Sequence, residues 1–431
     1  MQDVDTASWI TRARTQADME IASRQEQLKD KVFSHIVDDD GNQYVDLVME
    51  GGGMLGIALV GFTYVLEQQG LRFRKVAGTS AGAINALMTA ALDVPGKPKS
   101  QKVLEILDST AFDEFMDGPD YVKKVIRKAL NKDSGWSYVW SARSVYKTFK
   151  QVKSTLGLNP GNRFLEWATE ILNEHAVYTV ADLESRVNSF PPLYICTSEE
   201  AGKIPSADAA SGAVALIATD ITTESRAVFP KDAPLYWQDT EELHPAHFVR
   251  ASMSVPLFFE PMVVNQIPQG KKAMHLFEDL RNIKAHQFKY QRPPEQVRFV
   301  DGGMVSNFPF DIFHLARASR HAPRAPTIGV KLEDDVYQHN TDTFLQYLGA
   351  VVNTSRRMFD NHLRVVHSAD YDELVSNIPI KPEIQWLNFE MPPEHKYDLF
   401  MSGVDTALNF LQRFEFNDYL LNVRLPLMQQ H

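Results

Sequence analysis

The sequence predicts an α/β fold on a mainly parallel sheet, and two neighbouring stretches carry that expectation. Val45 to Met49 is a short apolar run of strand character. It ends in Gly51-Gly52-Gly53 and opens into a helical pattern, with Leu55, Leu59, Phe62 and Leu66 recurring every three or four residues. A second run, Phe73 to Ala77, ends in Gly78-Thr79-Ser80-Ala81-Gly82. The Ala-rich segment that follows, Ala83 to Leu92, has helix propensity and almost no polar face, so it is expected to be buried. Strand, helix, strand, helix in that order is a βαβ unit. Its right-handed crossover sets both helix N-termini side by side at the carboxyl edge of the sheet. Open α/β sheets place their ligands at that edge.

The whole chain bounds the answer. Its 431 residues hold one large α/β domain with insertions, or two to three smaller ones. Hydrophobic residues at 44% and charged ones at 23% are ordinary for a globular protein with a sizeable core. A net charge of -11 argues against nucleic acid as the main partner. Cys196 is the sole cysteine, so no internal disulfide is possible and a reducing, cytoplasmic setting is expected. The N-terminus MQDVDTASWI opens with acids and has neither a basic n-region nor an apolar h-region, which is unlike a Sec-type signal. The uncharged run Val76 to Leu92 is short for a transmembrane segment and contains the GTSAG turn. Membrane contact is therefore expected to be peripheral.

Along the chain, three parts are expected: an N-terminal helical arm over 1–43, a catalytic domain over 44–332, and a helical C-terminal part over 333–431 packed on the same domain. Residues 5–40 read as a charged helix lying along the main domain, with a regulatory arm as the alternative. Residues 99–190 read as helices without strands, with a turn and N-cap at Asn159-Pro160-Gly161-Asn162. Inside this helical insertion, residues 119–153 carry nine Lys/Arg against two Asp, with Trp136, Tyr138, Trp140, Tyr146 and Phe149 interleaved. Lys123, Lys124, Arg127 and Lys128 are the densest part. Basic and aromatic residues together suit a lipid headgroup interface. A helical subdomain with aromatics inward and solvated lysines explains the same pattern.

Strands are expected at Leu193–Thr197 and Ala213–Thr219, with Arg226–Phe229 returning by a hairpin across Asp220–Ser225. Residues 245–264 give a short helix, a Pro-bounded turn and another strand, and 267–296 form a basic surface insertion. Val297–Val300 leads into Asp301-Gly302-Gly303 and an apolar helix from Phe310 to Ala318; Thr327–Leu332 is a further strand. Near the end, Leu399, Phe400, Val404, Leu408 and Leu411 share one helical face that should pack on the sheet.

Gly78-Thr79-Ser80-Ala81-Gly82 fits G-x-S-x-G between an apolar strand and an Ala-rich helix. A serine at so sharp a turn needs small residues two positions either side, and the turn lifts its hydroxyl above the sheet edge. The helix N-terminus then stabilises developing negative charge. Ser80 is the candidate nucleophile, against the plainer reading of a structural turn. Gly51-Gly52-Gly53-Met54-Leu55-Gly56 fits G-x-G-x-x-G, the dinucleotide fingerprint. That reading expects an acid about twenty residues on, where this chain has Arg74 and Lys75, cations suited to a 2′-phosphate. The same glycines read as an oxyanion hole, a row of amides that receives the oxygen of a tetrahedral acyl intermediate. For the base, none of the thirteen histidines sits in a recognisable turn at a strand end, whereas Asp301 follows a strand and precedes two glycines. Taken alone, Asp301-Gly302 is as well explained by a solvated turn.

GGGMLG, GTSAG and DGG in that order resemble the signature of the patatin-like phospholipases, acyl hydrolases that use a Ser-Asp dyad on a three-layer α/β/α sandwich. ATDITTESRAVF and RASMSVPLFFEPM resemble that family's later strands and its segment before the aspartate. The likeness spans roughly 44–332, setting aside the insertions. It implies Ser80 as nucleophile, Asp301 as base, and the Gly51–Met54 backbone (Gly51, Gly52, Gly53 and Met54) as oxyanion hole, with Gly56, Gly78, Gly82, Gly302 and Gly303 shaping the turns. Many relatives carry Arg or Lys where this chain has Leu55, so complementarity to a phosphate headgroup falls to other residues. The implied substrate is membrane phospholipid, met at the bilayer surface, with no metal and no cofactor. Neutral lipid or thioester substrates with the same dyad are the alternative, and a non-catalytic dinucleotide-binding regulator is a further one. The pattern leaves room for an activator of unknown identity and for any oligomeric state.

Overall fold

The computed structural model describes residues 8–130, 152–196, 204–205, 208–289, 291–314, 322–333 and 368–429, with isolated positions between 350 and 365. The strands are β1 (Ile36–Val37), β2 (Gln43–Met49), β3 (Leu71–Thr79), β4 (Gly157–Asn159), β5 (Tyr194–Ile195), β6 (Ile204–Pro205), β7 (Ala213–Asp220), β8 (Ser225–Phe229), β9 (Leu257–Phe259), β10 (Met262–Asn265), β11 (Gln296–Asp301), β12 (Thr327–Glu333) and β13 (Val375–Pro379). The fold is α/β: a mixed sheet whose centre is parallel, surrounded by many helices.

The parallel centre runs β7–β3–β2–β12–β13. β2 and β3 are joined through α2 (Gly56–Gln68), and β3 passes into α3 (Ala81–Ala91), as the two glycine-punctuated runs predict. Antiparallel pieces flank this centre. β8 returns on β7 from Asp220↔Ser225 to Leu216↔Phe229, the expected hairpin. β11 also runs antiparallel to β7, and β10 to β11.

The registers fix where β11 lies. β7 residues 216–217 pair with both β3 and β8, so those two occupy opposite edges of β7. β7 residues 218–220 pair with both β8 and β11, so β11 lies on the edge opposite β8, which is the edge β3 uses. β3 stops at Thr79↔Ile217 and β11 arrives from the other direction at Asp301↔Ala218. The two strands therefore meet end to end along one edge of β7, one residue step apart, about 3.4 Å along that strand.

Several elements depart from the sequence expectation. The helical stretch 99–190 contains β4, which pairs with β9 in a separate two-stranded ladder. Strand β13 lies in the C-terminal part expected to be mostly helical; its VSNIP sequence is short and lacks alternation. Of the helix expected over Phe310–Ala318, a 3-10 turn at Phe310–Ile312 is described, and 315–318 lie outside the described residues. The face of Leu399, Phe400, Val404, Leu408 and Leu411 is buried in helix Pro393–Arg413, but that helix packs chiefly on α2, with β13 and α1 (Trp9–Leu28) as further neighbours. This explains why α2 is buried all round from Gly56 to Glu67 instead of along one stripe. The N-terminal helix α1 is tied to the body by Trp9 Nε1 donating to Asp108 at 2.5 Å and Tyr64 donating to Asp18 at 2.7 Å. No helix among the described residues is long and apolar enough to cross a membrane.

Candidate active site

Ser80 sits in the turn between β3 and α3 with φ 52° and ψ -119°, a conformation uncommon for a residue with a side chain. The flanking glycines are there because the turn leaves no room. A Cβ on Gly78 would lie 2.2 Å from the Gly82 carbonyl, and one on Gly82 would lie 2.3 Å from the Met49 carbonyl. Ser80 is 5% exposed and its amide donates to Ser252 Oγ at 2.9 Å.

The glycine loop lies against this turn. A Cβ on Gly51 would be 3.2 Å from Ser80 Cβ, and one on Gly56 would be 3.0 Å from Ala81 Cβ, so the starts of α2 and α3 are neighbours as the βαβ reading requires. Of the four amides expected to face an oxyanion, that of Gly51 donates to the Asn307 carbonyl at 3.0 Å and that of Met54 to the Trp386 carbonyl at 2.9 Å. No hydrogen bond among the described residues engages the amides of Gly52 or Gly53. Gly53 has φ +55°, and a Cβ there would lie 2.4 Å from the Trp386 carbonyl. The cradle thus narrows to Gly52 and Gly53.

Asp301 ends β11 and is 5% exposed. Its Oδ1 accepts from the Gly303 amide at 2.7 Å, its own amide donates to the Ser254 carbonyl at 2.8 Å, and its carbonyl accepts from Thr219 Oγ1 at 2.9 Å. Gly302 packs between β7 and β3: a Cβ there would be 2.2 Å from the Ile217 carbonyl and 3.0 Å from Thr79 Cγ2. Ser80 follows Thr79, so nucleophile candidate and base candidate are brought to the same point on β7.

Residues that the sequence reading did not single out hold this arrangement. Glu50, buried at the end of β2, accepts from Asn307 Nδ2 at 3.1 Å and the Leu332 amide at 2.7 Å, and faces Lys331 at 3.6 Å. Asn307 Nδ2 also donates to the Gly51 carbonyl at 3.2 Å, so Asn307 brackets Gly51 from both backbone groups. The signal was an acid between a strand and its glycines, a position with no solvent-facing reason for charge.

Beside Ser80 opens a cleft of about 670 Å³, its mouth included. Gly53, Met54 and Ser80 line its reactive end, Phe112, Phe115, Phe164 and Trp167 come from the helical insertion, and Trp386 and Phe389 from the C-terminal part. Its lining has no charged side chain among the described residues, and Asp301 does not line it. Of the basic residues, Lys123 is half-buried and Lys124 exposed on α5 (Asp120–Leu130), the helix that follows α4 (Ser100–Ser109); its Val122 and Ile126 are buried. The side chains of Arg127 and Lys128, and the aromatics Trp136 to Phe149, lie outside the described residues. Arg74, one of the two cations expected for a 2′-phosphate, is held by Asp46 through two hydrogen bonds of 3.0 and 2.9 Å.

The chain is 24% identical over 377 residues to the uncharacterized protein YqhO of Bacillus subtilis (strain 168), covering 86% of this chain and all of that one. Among solved structures it is similar to VipD from Legionella pneumophila, with a TM-score of 0.39 and 16% identity, covering 89% of this chain and 71% of that one. It is also similar to full-length ExoU from Pseudomonas aeruginosa in its complex with SpcU, with a TM-score of 0.32 and 14% identity, covering 86% of this chain and 53% of ExoU. The sequence profile of the patatin-like phospholipases matches residues 47–314, which takes in the glycine loop, the serine turn and the Asp301 turn. The chain belongs to the patatin-like phospholipase family, which makes it a lipid acyl hydrolase in general terms.

Proposed function

We propose that the protein is a serine acyl hydrolase that cleaves fatty acyl esters of membrane phospholipids through Ser80 and Asp301. The observation that carries this reading is the end-to-end meeting of β3 and β11 on β7, beside glycine amides and above an apolar cleft. Ser80 Oγ attacks the ester carbonyl carbon while the Asp301 carboxylate takes the hydroxyl proton. The carbonyl oxygen becomes an oxyanion held by the amides of Gly52 and Gly53. Collapse expels the lysolipid alkoxide, which takes the proton back from Asp301, and leaves an acyl group on Ser80. Asp301 then accepts a proton from water as that water attacks the acyl-enzyme; the bond to Ser80 Oγ breaks, Oγ takes that proton from Asp301, and the fatty acid departs. A carboxylate has an ordinary pKa near 3.9 and is a weak base, so this chemistry needs the dry setting that burial of both residues provides.

The aromatic walls of the cleft suit an acyl chain, and the density of Lys123, Lys124, Arg127 and Lys128 in the sequence suits contact with anionic headgroups. A second reading, a neutral-lipid or thioester hydrolase with the same dyad, is favoured by the uncharged cleft lining and by Leu55, which is buried. Fatty-acid release from phospholipid vesicles, triacylglycerol emulsion and acyl-CoA separates the two. Ser80→Ala and Asp301→Asn are each expected to abolish release from phospholipid while keeping the circular dichroism spectrum. An Asp301→Asn protein active at the wild-type rate refutes the dyad. Reversal of the four α5 cations to Glu is expected to weaken sedimentation with anionic vesicles, and unchanged binding refutes the membrane face.

A further inference from the structure

The turn that joins helix Ala246–Ser252 to β9 touches both reacting residues. Ser252 is fully buried, and its hydroxyl donates to the Ile217 carbonyl at 2.5 Å. That donation spends its single proton, which leaves its lone pairs to accept the Ser80 amide at 2.9 Å. Ile217 is also the β7 partner of Thr79, so the Ser252 side chain bridges from the sheet backbone to the residue just past the end of β3. Two positions later, the Ser254 carbonyl accepts the Asp301 amide at 2.8 Å. One short turn therefore receives a backbone hydrogen bond from each member of the pair. The turn is itself fastened by Arg250, which donates to Ser254 Oγ, to the Pro160 carbonyl at 2.5 Å and to the Glu260 carbonyl at 3.0 Å.

A residue with Ser80's backbone angles is strained and keeps that conformation only where its surroundings determine it. As the residue capping α3, Ser80 has no intrahelical partner for its amide. We propose that Ser252 is the positioning residue for the nucleophile: its hydroxyl, oriented by the Ile217 carbonyl, fixes the Ser80 amide and so the direction of Ser80 Oγ. This rests on the reading of Ser80 as nucleophile. Ser252 bonds the Ser80 amide and does not line the cleft, so its loss acts on the rate of attack and not on affinity.

The test is the rate of covalent labelling by a fluorophosphonate, with kcat and KM on a short-chain nitrophenyl ester and thermal midpoints measured in parallel. Ser252→Ala is expected to label about 10- to 100-fold more slowly with an equal fall in kcat and KM within about twofold. Ser252→Thr, which keeps the hydroxyl, is expected to recover most of the rate. Ser34→Ala is the structural control: that buried hydroxyl also donates to a carbonyl (Tyr44, 2.6 Å) and accepts an amide (Ile36, 3.1 Å), away from the cleft. It is expected to lower the thermal midpoint comparably and label at the wild-type rate. If Ser252→Ala does not fold, Ser252→Cys carries the prediction, folded and labelled about 3- to 10-fold more slowly. A wild-type labelling rate in folded Ser252→Ala or Ser252→Cys, or loss of labelling in step with thermal midpoint across all variants, overturns the proposal. A wild-type protein that reacts no faster than Ser80→Ala overturns the nucleophile reading itself, and this inference with it.

Discussion

Lys99 is 2% exposed, and burial pushes its ammonium down to about 8 despite the opposing pull of Glu67 and Asp93. A lysine whose pKa is lower folded than unfolded costs stability wherever it is charged in both states. That cost is full below pH 8 and disappears as pH rises through the unfolded value near 10.5. Lys99→Met is therefore expected to stabilise the protein at pH 7, by on the order of 2–3 kcal/mol, and urea midpoints at pH 7 and 10 should show that gain shrinking. The backbone bonds from Lys99 and Ser100 to Glu67 survive the substitution. At the serine turn, Gly82→Ala pushes a methyl into the Met49 carbonyl. It is expected to destabilise by about 1–3 kcal/mol and to slow fluorophosphonate labelling.

Residues whose roles are local were legible. Ser80 and its glycines announce themselves because the steric demand of the turn falls on positions two apart. Ser252, Glu50 and Trp386 did not, because their partners are remote in the chain: Ser252 meets Ser80 across 172 positions and Glu50 meets Leu332 across 282. A buried serine has no pattern of its own in a single sequence, and the place of Glu50 between a strand and its glycines marks the acid without naming its partners.

At the scale of elements, α2 and helix Pro393–Arg413 show the same limit. The period of α2 was plain from Leu55, Leu59, Phe62 and Leu66, but its second buried face depends on a partner more than three hundred residues downstream. The two helices approach at reciprocal glycines. A Cβ on Gly61 would lie 2.0 Å from the Phe400 carbonyl, and one on Gly403 would lie 2.0 Å from the Ala58 carbonyl. Gly61→Ala and Gly403→Ala are each expected to cost about 1–3 kcal/mol in urea denaturation. The double variant should cost less than the sum, since either methyl alone already separates the helices. Strands β4 and β13 escaped the sequence reading because three- and five-residue strands carry too few alternations to show a period.

At the scale of the molecule, the C-terminus is locked to the body around Asp370. This fully buried carboxylate accepts from Tyr419 at 2.8 Å and Arg424 at 3.0 Å, and faces His314 Nε2 at 3.2 Å. Burial by itself raises the Asp370 pKa, but the hydrogen bond and charge of His314, the Tyr419 hydroxyl and the Arg424 charge outweigh it and hold the carboxyl below its usual range. A depressed carboxylate stabilises the fold above its unfolded pKa, near 3.8, and that stability is lost as pH falls through the lower folded value. Asp370→Asn, which removes the carboxylate charge facing the buried Arg424, is expected to cost about 3–5 kcal/mol at pH 7. The difference from wild type should close as pH drops below about 4, as read from acid-dependent urea midpoints.

The end-to-end meeting of β3 and β11 has a consequence for how such a protein diversifies. The spacing between hydroxyl and carboxylate is set by one step along β7, not by the length of chain that links them. That intervening chain also supplies several walls of the cleft, among them Phe112, Phe115, Phe164 and Trp167. Under the proposed function those walls are interchangeable parts: they can be lengthened, exchanged or pared back to admit a different lipid while the step between Thr79 and Asp301 on β7 stays the same.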